Sequence, residues 1–284
     1  MNQTSLSQVR NVLKDLGIRP SRRLGQSFLI DKNILDILIG TADLLPDDEV
    51  LEVGPGLGVV TERLLRETRR VTAIEKDRRL FDFLRERFKQ RKNFDLKHGD
   101  MLDINPEELF RSGINKVVSN LPYSSGTRML VDMIRARTPP GQIVITVQQE
   151  VAERLSARPG SREYSALSIW AQLIYQVDFI RTISSTCFWP KPEVKSAIIN
   201  MIKRDDPPHS DEERKALYRL TKYAFSHRRK QLVSILAHAP SGLKIDSVEC
   251  KKLLEHMGFD VRARPGDIPV DKWFKLTAAC TAFS

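Results

Sequence analysis

The residues that could do chemistry in this chain sit in clusters, each just after a short β-branched run. The first is Glu52-Val53-Gly54-Pro55-Gly56-Leu57-Gly58, which closes the run Val50–Val53 and precedes a helical segment. In that context a glycine turn lets a ligand come close to the backbone. The spacing is G-x-G-x-G. That points away from nicotinamide dinucleotides, whose pyrophosphate needs the helix N-terminus, and toward a cofactor without phosphates. A turn rich in glycine for steric reasons alone is the plainer alternative. The second run ends in Glu75, about 20 residues past the turn, where an acid can accept hydrogen bonds from both ribose hydroxyls. A third, weaker run (Phe94, Leu96, His98) leads into Gly99-Asp100-Met101. It places a carboxylate where the adenine amine of a nucleoside cofactor could be held, although Asp100 is equally suited to cap a turn.

The fourth run ends in Asn120-Leu121-Pro122-Tyr123, the most specific feature in the sequence. An exocyclic adenine amine is a poor nucleophile because its lone pair is conjugated into the ring. Two fixed acceptors, the Asn120 side-chain oxygen and the Leu121 carbonyl held by Pro122, would favour the pyramidal nitrogen over the planar one. Tyr123 could stack on a base drawn out of its helix. No strong general base is needed, since the methylated ammonium is acidic enough to lose its proton to water. With Glu75 and Asp100 this makes S-adenosylmethionine the expected cofactor. Hydride transfer to a nicotinamide has no use for the tetrapeptide. A catalytically idle RNA-binding factor has no use for an intact cofactor site.

Elements in a definite order must position these clusters. Residues 50–53, 71–75, 116–119 and 143–147 are strands, each followed by a segment with helical spacing. Leu80, Phe83, Leu84 and Phe88, for example, share one helix face. Strand and helix in alternation give a parallel sheet covered on both sides. Residues 176–183 and 196–202 read as two further strands with no long helix between them, an antiparallel hairpin at the sheet edge. Two prolines, four charged residues and a histidine lie between 203 and 210, making this stretch the linker candidate. Helical patterns follow at 211–225, 228–238, 246–257 and 270–281. The expected architecture is α/β: a Rossmann-like class I methyltransferase sheet with an antiparallel edge hairpin, plus a small all-helical C-terminal domain. The expected divisions are an arm over 1–30 leading to a helix that opens at Asp31, a catalytic domain over 31–205 and a helical domain over 211–284.

The chain has 284 residues, 41% of them hydrophobic, enough for one large core and a small one. No run approaches the ~18 apolar residues of a membrane helix, and the start lacks a secretory layout. A cytoplasmic protein without membrane attachment is expected. Cys187, Cys250 and Cys280 have neither disulfide nor zinc spacing, so no metal is expected. The net charge is +10, divided as +4 over 1–30, +1 over 31–208 and +5 over 209–284. Basic ends on a neutral body suit a phosphate-rich partner, or simply solubility. Arg22 and Arg23 in the arm, and Arg228-Arg229-Lys230 at the head of a helix, are the candidate phosphate contacts.

Leu24-Gly25-Gln26-Ser27-Phe28-Leu29, the glycine turn, Glu75, Gly99-Asp100, Asn120 to Tyr123, and Phe188-Trp189-Pro190-Lys191-Pro192-Glu193-Val194-Lys195-Ser196 occur in that order. Together they resemble the ribosomal RNA adenine dimethyltransferase family. That family includes the bacterial small-subunit enzyme linked to kasugamycin sensitivity, its eukaryotic relatives and the macrolide-resistance methylases. The resemblance implies that Gln26, Ser27 and Leu29 belong to an arm over the cofactor. It places Gly54 beside the methionine moiety, Glu75 at the ribose, and Asp100 with Met101 at the adenine, with Gly56 also among the cofactor-binding residues. Asn120, counted among the cofactor-binding residues as well, would hold the target amine, with Tyr123 and Phe188 stacking on the base, although packing in the core is the ordinary use of a phenylalanine. The family usually has Asn where this chain has Ser27, so that contact with the cofactor transfers least securely. The basic helical part and the Pro-Lys-Pro loop resemble the small-subunit enzyme more than the macrolide-resistance type. This implies a monomer that dimethylates two adjacent adenines in the 3′-terminal hairpin of 16S ribosomal RNA, presented by a small-subunit particle. A large-subunit methylase and a non-catalytic assembly factor are the alternatives.

Overall fold

A computed structural model of the chain describes residues 5–21, 24–205 and 210–282. Arg22, Arg23 and part of the linker candidate, residues 206–209, lie outside them. The arm is not extended throughout. It forms a helix, α1 (Leu6–Asp15), followed by a two-residue strand, β1 (Phe28–Leu29). Val9 and Leu13 on one face of α1 are buried with Ile18, Phe28, Leu57 and Leu80, a small apolar cluster that ties the arm down. α2 (Lys32–Thr41) opens as expected behind Asp31, whose carboxylate accepts from the Ile34 amide at 3.0 Å.

The alternating elements then follow: β2 (Glu49–Val53), α3 (Val59–Glu67), β3 (Arg70–Glu75), α4 (Arg78–Arg87), β4 (Phe94–His98), α5 (Pro106–Arg111), β5 (Lys116–Asn120), α6 (Gly126–Ile134), β6 (Gln142–Gln148), α7 (Gln149–Ser156), α8 (Ala166–Ile174), β7 (Tyr175–Ile183), β8 (Phe188–Trp189) and β9 (Ser196–Lys203). Seven strands form one sheet in the order β4-β3-β2-β5-β6-β9-β7. The first five are mutually parallel, and β9 runs antiparallel to β6 over seven residue pairs. Val50, Leu51, Val71, Val117, Val118 and Ile143 to Ile145 are all buried, the near-continuous apolar runs of strands covered on both faces. The strand order reverses between β2 and β5, so their carboxyl ends diverge and leave a crevice, the usual ligand position in such sheets. The strands over 175–183 and 196–203 are neighbours at the sheet edge, but the segment joining them does more than turn. It sends β8 away to pair antiparallel with β1, Phe28 opposite Trp189 and Leu29 opposite Phe188.

The C-terminal helices are α9 (Asp211–Ser226), α10 (Leu232–Ala237), α11 (Ser247–His256) and α12 (Val270–Ala282). α9 starts with a capping box in which the Ser210 hydroxyl accepts from the Glu213 amide and the Glu213 carboxylate accepts from the Ser210 amide. α10 is shorter than its apolar pattern suggests. Residues 227–230 form a turn in which the Lys230 amide donates to the His227 carbonyl at 2.8 Å. Arg228, Arg229 and Lys230 therefore sit before the helix rather than at its head.

The chain divides into two compact units, residues 1–152 with 177–203, and residues 153–176 with 204–284. One break of this grouping falls at 203, beside the expected boundary near 205, and residues 153–176, expected in the catalytic domain, are grouped with the C-terminal helices. Tyr164 donates to the Ile268 carbonyl at 3.0 Å, and the Trp170 indole donates to Thr221 at 2.9 Å and lies edge-on to Tyr218. Leu167, Ile169, Ala171, Leu173 and Ile174 of α8 are all buried. A segment that is apolar on every side shows that it will be buried without showing against what.

Candidate active site

A cavity of about 310 Å³ lies in the first unit at the carboxyl ends of β2, β3 and β5. Gln26, Ser27, Leu29, Gly54, Gly56, Glu75, Asp100, Met101 and Asn120 to Tyr123 all line it. Phe188 does not.

Its floor is the glycine turn. Gly54, Gly56 and Gly58 have φ of 67°, 60° and 79°, the left-handed region that side chains other than glycine's adopt at a cost. Two of them are required by close approach as well. A Cβ on Gly56 would lie 3.2 Å from the Phe28 ring, and one on Gly58 would lie 2.8 Å from Phe88 and 2.9 Å from Leu84. Gly58 thus serves the seating of α3 against α4, while Gly56 faces the cavity.

Buried carboxylates surround the turn. Glu75, at the end of β3, is 5% exposed and accepts from the amides of Gly56 (3.1 Å) and Asp77 (2.8 Å). Burial pushes its pKa up to about 7, against the opposing pull of those two amides. Glu52, which the sequence pattern contained but did not single out, is 2% exposed and accepts from the Thr61 hydroxyl at 2.6 Å. Burial pushes it up to about 8, and the neighbouring Glu75 adds to the rise. The signal for it was an acid set just before the turn in an otherwise apolar run. Asp100 is both a cap and a wall. Its Oδ1 accepts from the Leu102 amide at 3.0 Å and its Oδ2 pairs with Lys76 at 2.6 Å. Burial alone would raise its pKa, but Lys76 and the Leu102 amide outweigh it and hold the carboxylate below the ordinary aspartate value. Met101, 3% exposed, supplies an apolar surface beside it.

The arm closes one side. The Gln26 amide donates to Asp77 at 3.2 Å and its oxygen accepts from the Ser21 amide at 2.9 Å. Ser27 faces away from the carboxylates. Its hydroxyl donates to the Pro190 carbonyl at 2.9 Å, and its own carbonyl accepts from Asn120 Nδ2 at 3.0 Å.

The other side is Asn120 to Tyr123. Asn120 Oδ1 accepts from the Thr146 hydroxyl. The Pro122 carbonyl accepts from the amides of Ser125 (3.4 Å) and Gly126 (2.8 Å), whereas the Leu121 carbonyl takes no hydrogen bond from the described residues. An asparagine oxygen with a second lone pair and an unengaged carbonyl therefore stand in adjacent residues. The Tyr123 hydroxyl meets Ser196 Oγ at 2.5 Å, and burial raises its pKa. Its ring lies edge-on to Phe188, with centroids 6.3 Å apart. Phe188 itself is 2% exposed, because the pairing of β8 with β1 seats it in the core cluster with Leu29, Leu35 and Ile183. It stands behind Tyr123 as packing and presents no face to the cavity, which differs from the stacking role implied by the resemblance.

The family described as "Ribosomal RNA adenine dimethylase" matches residues 19–258. The chain belongs to that family. It is 33% identical over 277 residues to "Ribosomal RNA small subunit methyltransferase A" of Geobacillus kaustophilus, covering 96% of this chain and 94% of the relative. It is 32% identical over 269 residues to the protein of the same name from Clostridium acetobutylicum, covering 94% and 96%. Among solved structures it is similar in fold to a dimethyladenosine transferase from Plasmodium falciparum (TM-score 0.75, 24% identity, 88% of this chain and 95% of that one). It is also similar to the 23S rRNA methyltransferase ErmE (TM-score 0.68, 25% identity, 89% and 98%). As a member of the family the chain is an rRNA adenine dimethyltransferase that uses S-adenosylmethionine. The residues present fit that cofactor: a glycine floor without a phosphate cradle, a carboxylate at the end of β3 for vicinal hydroxyls, and a carboxylate beside an apolar methionine for a purine.

In the helical unit, Arg228 is half-buried and donates to the Ser161 carbonyl at 3.0 Å, so it holds a loop in place. Arg229 and Lys230 are exposed. Among the described residues no helix is long and apolar enough to cross a membrane.

Proposed function

We propose that Asn120 and Leu121 are the acceptors for the target adenine amine. The observation that supports this reading is that Asn120 and Leu121, each with an acceptor oxygen that keeps a lone pair to spare, line one cavity beside a tyrosine fixed at both ring and hydroxyl. Two acceptors take the two N6–H bonds and draw the nitrogen toward the pyramidal state, in which its lone pair is free to attack. Tyr123 stacks on the flipped base, with Phe188 supporting it from behind. S-adenosylmethionine supplies the electrophilic methyl group. Glu75 takes the ribose hydroxyls, Asp100 and Met101 take the adenine once Lys76 yields its place, and Gly54 and Gly56 admit the methionine chain. Gln26, Ser27 and Leu29 close over it. After transfer the amine's proton leaves to water, so none of these residues has to act as a strong base.

The RNA is the small-subunit 16S molecule, the targets are two adjacent adenines of its 3′-terminal hairpin, and the partner is a small-subunit particle met in the cytoplasm by a monomer. Relatives named for the small subunit over nearly the full length support this choice. The helical unit supplies the anchor. Gly160 donates to the Gly266 carbonyl and Leu232 to the Ala263 carbonyl, each at 2.8 Å, which brings the segments around 160, 230 and 265 together. Arg158, Arg162, Arg229, Lys230, Arg262 and Arg264 are exposed on those segments. Such a cluster suits phosphates whatever the base sequence. Arg22 and Arg23 of the arm are proposed as additional contacts.

Mass spectrometry of small-subunit RNA from cells lacking the gene tests the target. Two unmethylated adenines in the 3′ hairpin, restored to the dimethylated form by this chain, are expected. Full dimethylation there without it would refute the assignment.

A further inference from the structure

We propose that Thr146 is a positioning residue for the amine acceptors. It is the lone hydroxyl in the run Ile143-Val144-Ile145-Thr146-Val147 at the centre of β6, and it is wholly buried. A buried hydroxyl needs a partner, and a β-branched hydrocarbon would fill the position as its neighbours do. Thr146 is the register partner of Asn120 across the parallel β5–β6 ladder. Its hydroxyl donates to Asn120 Oδ1, and its carbonyl accepts from the Leu121 amide at 3.2 Å. One residue that does not line the cavity therefore holds both of the acceptor-bearing residues that do.

The consequence follows from the shape of the amide. A carboxamide can sit in two orientations half a turn apart, and its oxygen and nitrogen have opposite hydrogen-bonding roles. In the observed one, Oδ1 faces the Thr146 donor and Nδ2 faces the Ser27 carbonyl at 3.0 Å. In the turned one, Oδ1 would face the Ser27 carbonyl oxygen and Nδ2 would point an N–H toward the target amine. Thr146 occupies one lone pair of Oδ1 and thereby fixes the direction of the other. The Leu121 amide, tied to the same residue, anchors the chain just before the second acceptor. Thr146 acts through Asn120 and Leu121 and touches neither substrate.

This role rests on the reading of Asn120 as the amine's acceptor, and the experiment separates the two. Full-length Thr146→Val, Thr146→Ser and Asn120→Ala are assayed on small subunits from cells lacking the gene, with kcat, the KM for S-adenosylmethionine and the melting temperature recorded. Thr146→Val is expected to lower kcat about tenfold, the scale of one lost hydrogen bond, with KM and melting temperature nearly unchanged. Thr146→Ser keeps the hydroxyl and is expected to return kcat to within about twofold of the parent. A Val variant with the parent's kcat overturns the positioning role. So does a Ser variant as slow as the Val variant, or a Val variant whose KM rises along with its loss of kcat. If Asn120→Ala is inactive while Thr146→Val is normal, only the Thr146 role falls. If Asn120→Ala is itself fully active, both fall together. Should the Val variant not accumulate as folded protein, Thr146→Ala replaces it with the same expectation and the same grounds for rejection.

Discussion

The cavity has two sides built on different physics. On the cofactor side, Glu52, Glu75 and Asp100 offer carboxylates, two of them with pKa values raised by burial. On the acceptor side, Asn120 and Leu121 offer a carboxamide oxygen and a peptide carbonyl, and neither titrates. Recognising a bound nucleoside tolerates charge, because a carboxylate accepts hydroxyl and amine protons equally well before and after the reaction. Holding an amine that must pass through a cationic product is a different task. A neutral acceptor steadies its N–H bonds without trapping the proton it must lose.

The largest effect expected from this contrast is on turnover. Asn120→Ala should lower kcat by about 10²–10³, the scale for removing one preorganised polar group, while the affinity for S-adenosylmethionine changes little. Loss of affinity equal to the loss of turnover would merge the two sides. Glu75→Gln should do the reverse, weakening cofactor binding by about 10- to 100-fold for its charged hydrogen bonds and sparing turnover at saturation. Isothermal titration beside single-turnover assays separates the two.

A smaller effect is expected from pH. Both buried glutamates have folded pKa values, about 8 for Glu52 and about 7 for Glu75, above the ordinary 4.5. The folded chain holds protons there that the unfolded chain releases. Their contribution to stability is therefore present in full below about 4.5 and is lost as pH rises through 7 and 8. A cationic cofactor prefers the ionised carboxylates, so its affinity should rise over that same interval while the melting temperature of the free protein falls. An affinity flat from pH 6 to 9 would place no titrating carboxylate near the cofactor. The smallest effect is expected at Tyr123→Phe, which gives up the hydroxyl's contacts with Ser196 and Ser27. Turnover should drop by a few-fold at most, about 1 kcal/mol or less. A collapse of activity would make the hydroxyl, and not the ring, the working part of that residue.

Much of this was legible in the sequence because the acids and amides that line the cavity fall at strand ends. Glu75 and Asn120 are the last residues of β3 and β5, and a run of β-branched residues marks where a strand stops. What could not be read depends on contacts between distant segments. Phe188 stands in a motif full of prolines and aromatics, yet its burial comes from pairing with Leu29, 159 positions earlier in the chain. Arg228 reads as one of three equal cations, and only the fold shows that it is spent on the Ser161 carbonyl. The assignment of residues 153–176 to the helical unit depends on Tyr164 and Trp170 finding partners at Ile268 and Thr221, which no local periodicity encodes.

The short pairing of β1 with β8 bears on how the chain can be handled. Phe28–Leu29 is the strand that Phe188–Trp189 pairs with, and the residue just before it supplies the carbonyl that Asn120 holds. Trimming the first thirty residues as a dispensable leader would therefore strip a wall from the cofactor side and a ligand from the acceptor side in one cut. A version shortened there that binds neither cofactor nor RNA would be reporting on the surgery rather than on the residues left behind.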